Sequence, residues 1–174
     1  MIVIILILRL LAPGSAVAFR ETDTVDLTTA HAEANLAAAV AAGALEHVDP
    51  ALLLSIAWHE SRYQADAVTR EPGAKWSCGV MTPEPKARCR SGSLLDGYRA
   101  GARHLRGWIA VTHSMRGALL GYTGGFALAR ACARGPVVVR PGVDACETPT
   151  VFLRRAAKIR AAIRKSLAHN IVQW

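Results

Sequence analysis

Glu60 closes an apolar run, Pro50-Ala-Leu-Leu-Leu-Ser-Ile-Ala-Trp-His-Glu60-Ser61, and is the residue of this chain best placed to do chemistry. Read as an amphipathic helix, the run puts Glu60 on the face of Ala57, Ile56 and Leu53, because residues three, four and seven apart share a side. A carboxylate on that face loses water, and desolvation disfavours its charged form and raises its pKa. A carboxyl group still protonated near neutral pH can serve as a general acid. The plainer reading is a glutamate at a helix end whose side chain reaches solvent. The acids nearest in sequence, Asp66, Glu71 and Glu84, fall in an irregular stretch without a fixed register to Glu60.

Helices must position this group, since helix signals dominate the chain and no internal repeat or low-complexity tract interrupts them. An alanine-rich helix is expected from about Thr28 to Leu45, with an Asp/Thr-rich segment before it as a source of its cap. Asp49-Pro50 reads as an N-cap with proline at the first helical position, opening the Glu60 helix. From Gln64 to Gly92, Pro72, Gly73, Gly79, Pro83 and Pro85 punctuate a long irregular stretch; loops of this length are usually functional or disordered. Ser93 begins a helix to about Val111, with Leu94, Leu95, Tyr98, Ala102, Leu105 and Ile109 facing inward. A shorter helix from about Met115 runs into the glycine-rich Gly121-Tyr-Thr-Gly-Gly125, followed by a helical run from Phe126 to Ala133. The segment from Gly135 to Glu147 has Val137-Val-Val139 as its only strand-like run, and Thr148-Pro149 starts the last helix. The fold class expected is all-α or mainly α, a single domain with one long loop.

The chain of 174 residues is 52% hydrophobic, enough for one sizeable core. Part of that figure comes from Met1-Ile-Val-Ile-Ile-Leu-Ile-Leu-Arg-Leu-Leu, which precedes Ala16-Val17-Ala18, a small-residue cleavage site. Residues 1–18 therefore read as a secretory signal peptide, although Arg9 interrupts the apolar run and no basic residue precedes it. A retained N-terminal anchor is the rival, but the uninterrupted stretches fall short of the ~20 residues a membrane helix needs. All four cysteines follow this segment. Three pairings are open to them, and the local one, Cys78 with Cys89 and Cys132 with Cys146, is the simplest. Zinc is the alternative, yet neither C-x-x-C nor H-x-x-x-H occurs. Disulfides imply an oxidising compartment, secreted or periplasmic.

The formal charge is +8, and loss of Arg9 with the leader leaves +7. Such a surface is drawn to polyanions. Much of the charge lies in Arg154-Arg155-Ala-Ala-Lys158-Ile-Arg160-Ala-Ala-Ile-Arg164-Lys165, a basic helical pattern suited to anionic envelope polymers or a membrane surface. No nucleic-acid motif or aromatic interleaving accompanies it, so no nucleic-acid partner is expected.

In the order Glu60-Ser61, Gly73-Ala74, Gly79-Val80-Met81-Thr82, Gly101-Ala102-Arg103-His104-Leu105, Gly121-Tyr122-Thr123-Gly124-Gly125 and Thr148-Pro149, the chain resembles the lytic transglycosylase domain of the lysozyme-like fold. The resemblance covers roughly Val48 to Ile163. It implies a catalytic domain over 48–168, preceded by an N-terminal helical segment over 19–47 and followed by a short tail, 169–174. It makes Glu60 the catalytic acid and base, and places Ser61, Gly79, Val80, Met81, Thr82, Tyr122 and Thr123 along the substrate, with Tyr122 reaching toward Glu60. Two positions depart from the family pattern: Thr82 stands where glutamine is usual, and Thr123 where asparagine is. Each replaces an amide, which donates and accepts, by one shorter hydroxyl. Three extra residues, Lys75-Trp76-Ser77, also precede Gly79; Trp76 suits either sugar stacking or packing in the loop.

The resemblance implies cleavage of peptidoglycan glycan strands between N-acetylmuramic acid and N-acetylglucosamine, leaving a 1,6-anhydromuramyl end. Glycoside hydrolases usually flank the bond with two carboxylates. A transglycosylase needs one, because the sugar's own 6-hydroxyl is the nucleophile and closure is intramolecular. No metal or organic cofactor is expected, and a monomer is. A lysozyme-type muramidase hydrolysing the same bond, and a non-catalytic basic wall- or membrane-binding protein, are the alternative readings.

Overall fold

The structure, a computed structural model, describes residues 29–70, 76–85 and 92–171. The expected leader, Glu71, Cys89 and the extreme C-terminus lie outside the described residues. Among those described, the chain is mainly α, with five α-helices and two small antiparallel sheets.

Helix α1, Thr29–Glu46, is alanine-rich and buries Ala32, Leu36, Ala39 and Val40, the spacing of one helical face. The chain reverses through His47, whose φ is 55°, and the reversal is tight. A Cβ on Gly43 would stand 2.6 Å from the Val48 carbonyl oxygen, so only glycine fits there. Asp49 then caps α2, Pro50–Ser61, by accepting the Ala51 N–H at 3.1 Å, with Pro50 at the first helical turn. Arg160 reaches over from the last helix to pair with Asp49.

Helix α2 is not amphipathic as the sequence suggested. Every residue from Ala51 to Trp58 is buried, so the helix is apolar on all sides and runs through the middle of the core. Its one internal polar side chain, Ser55, donates to the Phe152 carbonyl at 2.9 Å. Polarity returns only in the last turn, where His59 is exposed and Glu60 half-buried. The helix stops at Arg62, whose left-handed backbone lets its N–H cap the Ala57 and Trp58 carbonyls. Tyr63, also left-handed and fully buried, anchors the exit, and its carbonyl accepts the His31 Nε2–H at 3.0 Å.

The stretch expected to be irregular contains a three-stranded antiparallel sheet of β1 (Val68–Arg70), β2 (Trp76–Cys78) and β3 (Glu84–Pro85), in that order. Val68 pairs with Cys78, and Cys78 with Glu84. Strands of two or three residues are too short to show the alternation by which a sequence announces a sheet. Pro85 sits on an edge strand, where a missing N–H is tolerated. Cys78 is disulfide-bonded, while its expected partner Cys89 is not among the described residues.

Helix α3, Leu94–Thr112, opens on a reciprocal capping box between Ser93 and Asp96. It buries Tyr98, Ala102 and Leu105, and packs against both α1 and the helix that follows it. The Tyr98 hydroxyl donates to Asn35 Oδ1 at 2.9 Å inside the contact with α1. Helix α4, Met115–Cys132, bends at Gly125 (φ 65°, ψ −167°), a region open in practice only to glycine. The expected strand-like run becomes β4 (Val138–Arg140) paired with β5 (Val143–Asp144). A short 3₁₀ turn, Ala145–Glu147, leads into α5, Thr148–Ile171, which buries Phe152, Ala156, Ile159 and Ile163. Cys132 is bonded to Cys146, fastening the end of α4 to the start of α5. In the chain-entropy account a loop of this length stabilises the fold by about 3 kcal/mol.

One charge cluster joins α1 to α3. Glu46 is 7% exposed and meets Arg99 at 3.3 Å, Arg106 at 3.6 Å and Arg103 at 3.8 Å. Three guanidiniums on one helix face tolerate each other because a buried carboxylate lies among them. Glu46→Gln is expected to cost about 1–2 kcal/mol, tempered by the partial exposure of the arginines, and more as salt is lowered. Urea denaturation at two ionic strengths checks this; an equal loss at both would show that Glu46 acts by packing rather than charge.

Candidate active site

Glu60 is held from across the fold. The Thr82 hydroxyl donates to Glu60 Oε2 at 2.8 Å, joining the last turn of α2 to the tight turn Gly79–Thr82 that leaves β2. That turn closes with the Thr82 N–H on the Gly79 carbonyl at 2.9 Å, and the Gly79 N–H reaches back to Ala67 at 3.0 Å. Thr82 has φ 47°, a left-handed conformation that a β-branched residue adopts only under constraint.

The constraint is visible residue by residue. Ser61, buried beside Glu60, shares its hydroxyl proton between the Val80 carbonyl at 2.6 Å and its own helix's Ala57 carbonyl at 3.0 Å. Tyr122 donates its hydroxyl to the next carbonyl, that of Met81, at 2.7 Å. Both inner carbonyls of the turn are thereby pinned, one from α2 and one from α4. From the third side α3 presents two glycines one turn apart. A Cβ on Gly101 would stand 2.4 Å from Met81 Sδ, and one on Gly97 would stand 2.9 Å from Val80 Cγ1. The turn sits on bare backbone, and the buried Val80 and Met81 side chains fill the space the glycines leave.

The electrostatics follow the packing. Burial, and secondarily the Glu60 carboxylate, hold the Tyr122 phenol well above its usual range, so at ordinary pH it remains a donor. Its proton goes to Met81, and its proximity to Glu60 is felt through charge. His59, adjacent to Glu60 in sequence, is open to solvent on one side, yet desolvation on its packed side, followed by the charges of Arg62 and Arg155, lowers its pKa and favours a neutral ring beside Glu60. Its ring meets Phe152 edge-on at 4.9 Å, while Arg62 lies 4.3 Å over Trp58. Glu60 itself is half-buried rather than enclosed. The reason is its place in the last turn, where the helix emerges from the core.

Of the residues singled out from sequence, Glu60, Ser61, Gly79, Val80, Met81, Thr82 and Tyr122 converge here. Thr123 does not join them, because its hydroxyl turns back onto the Leu119 and Leu120 carbonyls of its own helix at 3.1 and 3.3 Å. Asp66 is exposed in the turn after α2. Four residues were given no role by the sequence reading. Gly97 was overlooked although it stands four before Gly101, a spacing that marks one helix face. His104 and Trp108 show the same spacing on α3, and with Phe126 they continue outward from Tyr122. Among the described residues no group of three or more His, Cys, Asp or Glu is placed to hold a metal ion. Comparison with family models, with curated proteins and with solved structures finds no match to this chain.

Two measurements probe this geometry. Tyr98 and Tyr122 both have pKa values raised in the folded state, so the stability they contribute is complete below about pH 10 and is lost as pH climbs through their folded values. An ultraviolet difference titration should show their ionisation delayed until alkaline unfolding, and Tyr122→Phe should remove one chromophore from that delayed phase. Ionisation of both near pH 10 with the fold intact would contradict the packing. Gly101→Ala should cost about 1–3 kcal/mol by forcing Met81 away, read as a lowered denaturation midpoint. An unchanged midpoint would mean that the turn can move freely off α3.

Proposed function

We propose that this chain is a peptidoglycan lytic transglycosylase of the lysozyme-like fold, with Glu60 as its single acid and base. The observation that carries the reading is the Thr82 hydroxyl on Glu60 Oε2, which fixes one carboxyl group in the last turn of a core-buried helix. The mainly α architecture and the convergence of Ser61, the 79–82 turn and Tyr122 around that group support it.

In the first half of the reaction Glu60 gives its proton to the glycosidic oxygen, the bond from C1 of the muramic acid breaks, and N-acetylglucosamine leaves as an alcohol. In the second, the muramic acid's 6-hydroxyl attacks its own C1 while Glu60 takes up the hydroxyl proton, which restores the acid and closes the 1,6-anhydro ring. No water and no second carboxylate are consumed. Thr82 suits both halves. A hydroxyl donating to Oε2 stays satisfied whether Glu60 is charged or carries its proton on Oε1, so the carboxyl keeps one orientation through the cycle. The Cys132–Cys146 bond supports an extracytoplasmic location. Exposed Arg154, Lys158, Arg164 and Lys165 on α5 give the chain a face for the anionic polymers of the envelope.

The test is digestion of purified peptidoglycan with mass spectrometry of the released muropeptides. Wild-type protein should yield anhydromuramyl ends and Glu60→Gln at least about 100-fold less. Thr82→Val, which keeps shape and deletes the hydroxyl, should lower kcat about 10-fold with little change in KM, and Thr82→Ser should recover most of it. Reducing ends would replace the reading with a hydrolysing muramidase. Silence from every variant, wild type included, would replace it with a wall-binding role.

A further inference from the structure

We infer that His104, Trp108 and Phe126 form a saccharide-stacking subsite that leads outward from Glu60. This rests on the proposed glycan chemistry and adds where the neighbouring sugars lie. The rings form a continuous row. Tyr122, tied to the turn that holds Thr82, meets His104 edge-on at 5.0 Å. The Trp108 indole N–H donates to His104 Nε2 at 3.2 Å, with their ring centroids 6.3 Å apart. Trp108 then meets Phe126 at 4.8 Å. Each step is comparable with the length of one pyranose unit.

Backbone features keep the row in place. A Cβ on Gly121 would come within 2.3 Å of the Trp108 ring, so glycine there lets the indole lie directly on α4. One turn later, Gly125 takes a conformation that side-chain-bearing residues avoid, and the chain direction it sets presents Phe126 with 53% of its surface in water. Packing of the core does not require this phenylalanine, because the buried cluster closes without it. A glycan strand has the complementary chemistry. Its pyranose rings offer flat C–H faces to aromatic surfaces while their hydroxyls remain hydrated, and half-exposed aromatics suit such a ligand better than a fully apolar one.

The test uses a tetramer of N-acetylglucosamine, which is uncharged, titrated into the Glu60→Gln protein and followed by the side-chain N–H resonances of tryptophan. The Trp108 signal, assigned with Trp108→Phe, should shift on binding. Phe126→Ala, at an exposed position that leaves the core intact, should weaken binding about 5–10-fold, and Phe126→Tyr should restore it. Binding unchanged within twofold in Phe126→Ala, a Trp108 signal that stays still at saturation, or no binding up to the solubility of the tetramer would each overturn the subsite. The two readings fail separately. Tetramer binding that depends on Phe126 in a protein that cleaves no peptidoglycan would leave the subsite and remove the enzyme. Cleavage indifferent to Phe126 would do the reverse.

Discussion

A hydroxyl donated at 2.8 Å from Thr82 to Glu60 is the contact on which the site depends, because it is made from a backbone that resists making it. A β-branched residue at φ 47° stores strain of order 1–3 kcal/mol. That strain survives only where neighbouring interactions fix the chain more strongly than torsional preference does. Ser61 on the Val80 carbonyl, Tyr122 on the Met81 carbonyl and the Gly79 closure supply that fixing. With both inner carbonyls held, the turn has no rotation left by which Thr82 could relax. The side chain is therefore delivered to Glu60 by the residues that hold the turn's backbone.

The same requirement reaches into the helices. Helix α2 is buried on every side up to Trp58, so its last turn has a fixed position relative to the core, and Glu60 inherits it. Helix α3 must lie close enough for Met81 to press on it, which glycine at 97 and 101 permits. Its own placement comes from Tyr98 on Asn35 and from the Glu46 cluster, both of which bind it to α1. Tyr122 must reach Met81 from α4, whose end is fastened to the start of α5 by the Cys132–Cys146 bond. Three helices thus meet at one turn of four residues. A displacement of any of them is felt at Thr82, since close-packed interiors transmit shifts instead of absorbing them.

The parts of this arrangement that obey local rules were legible in the sequence. Asp49-Pro50 announced the start of α2, Ser93 that of α3, and the glycines before Phe126 the bend in α4, because caps and breakers act on their immediate neighbours. The small sheet was not, since its strands are shorter than one period of any pattern. The character of α2 was misjudged for a different reason. A run with almost no polar residues has no stripe to detect, and reading a face into it made Glu60 look enclosed when it lies at the helix's open end. Motif order singled out the turn whose Thr82 meets Glu60, but not what holds that turn. That Ser61 and Tyr122 spend their protons on carbonyls, and that Thr123 folds back on its own helix, depends on distances that no spacing encodes.

On the proposed transglycosylase reading, a hydroxyl at Thr82 in place of the usual amide bears on how the site would recognise its glycan. A side-chain amide beside Glu60 could donate to the carboxylate and still offer a second donor and an acceptor to a ligand. Thr82 has one proton, and it is committed. Its remaining capacity is to accept. Positional control over the acid is kept, but most of the polar grip that an amide would give at this point is lost. If the chain acts on glycan as proposed, recognition would draw on surfaces further along, where the aromatic side chains around Tyr122 run through His104 and Trp108 to the half-exposed Phe126. Polar contacts at the reacting bond and flat contacts at its neighbours are separable means of holding a polymer. A chain that gives up the first can retain specificity through the second, provided the rings are rigidly seated, and the bare backbone of Gly121 beneath Trp108 seats the central one.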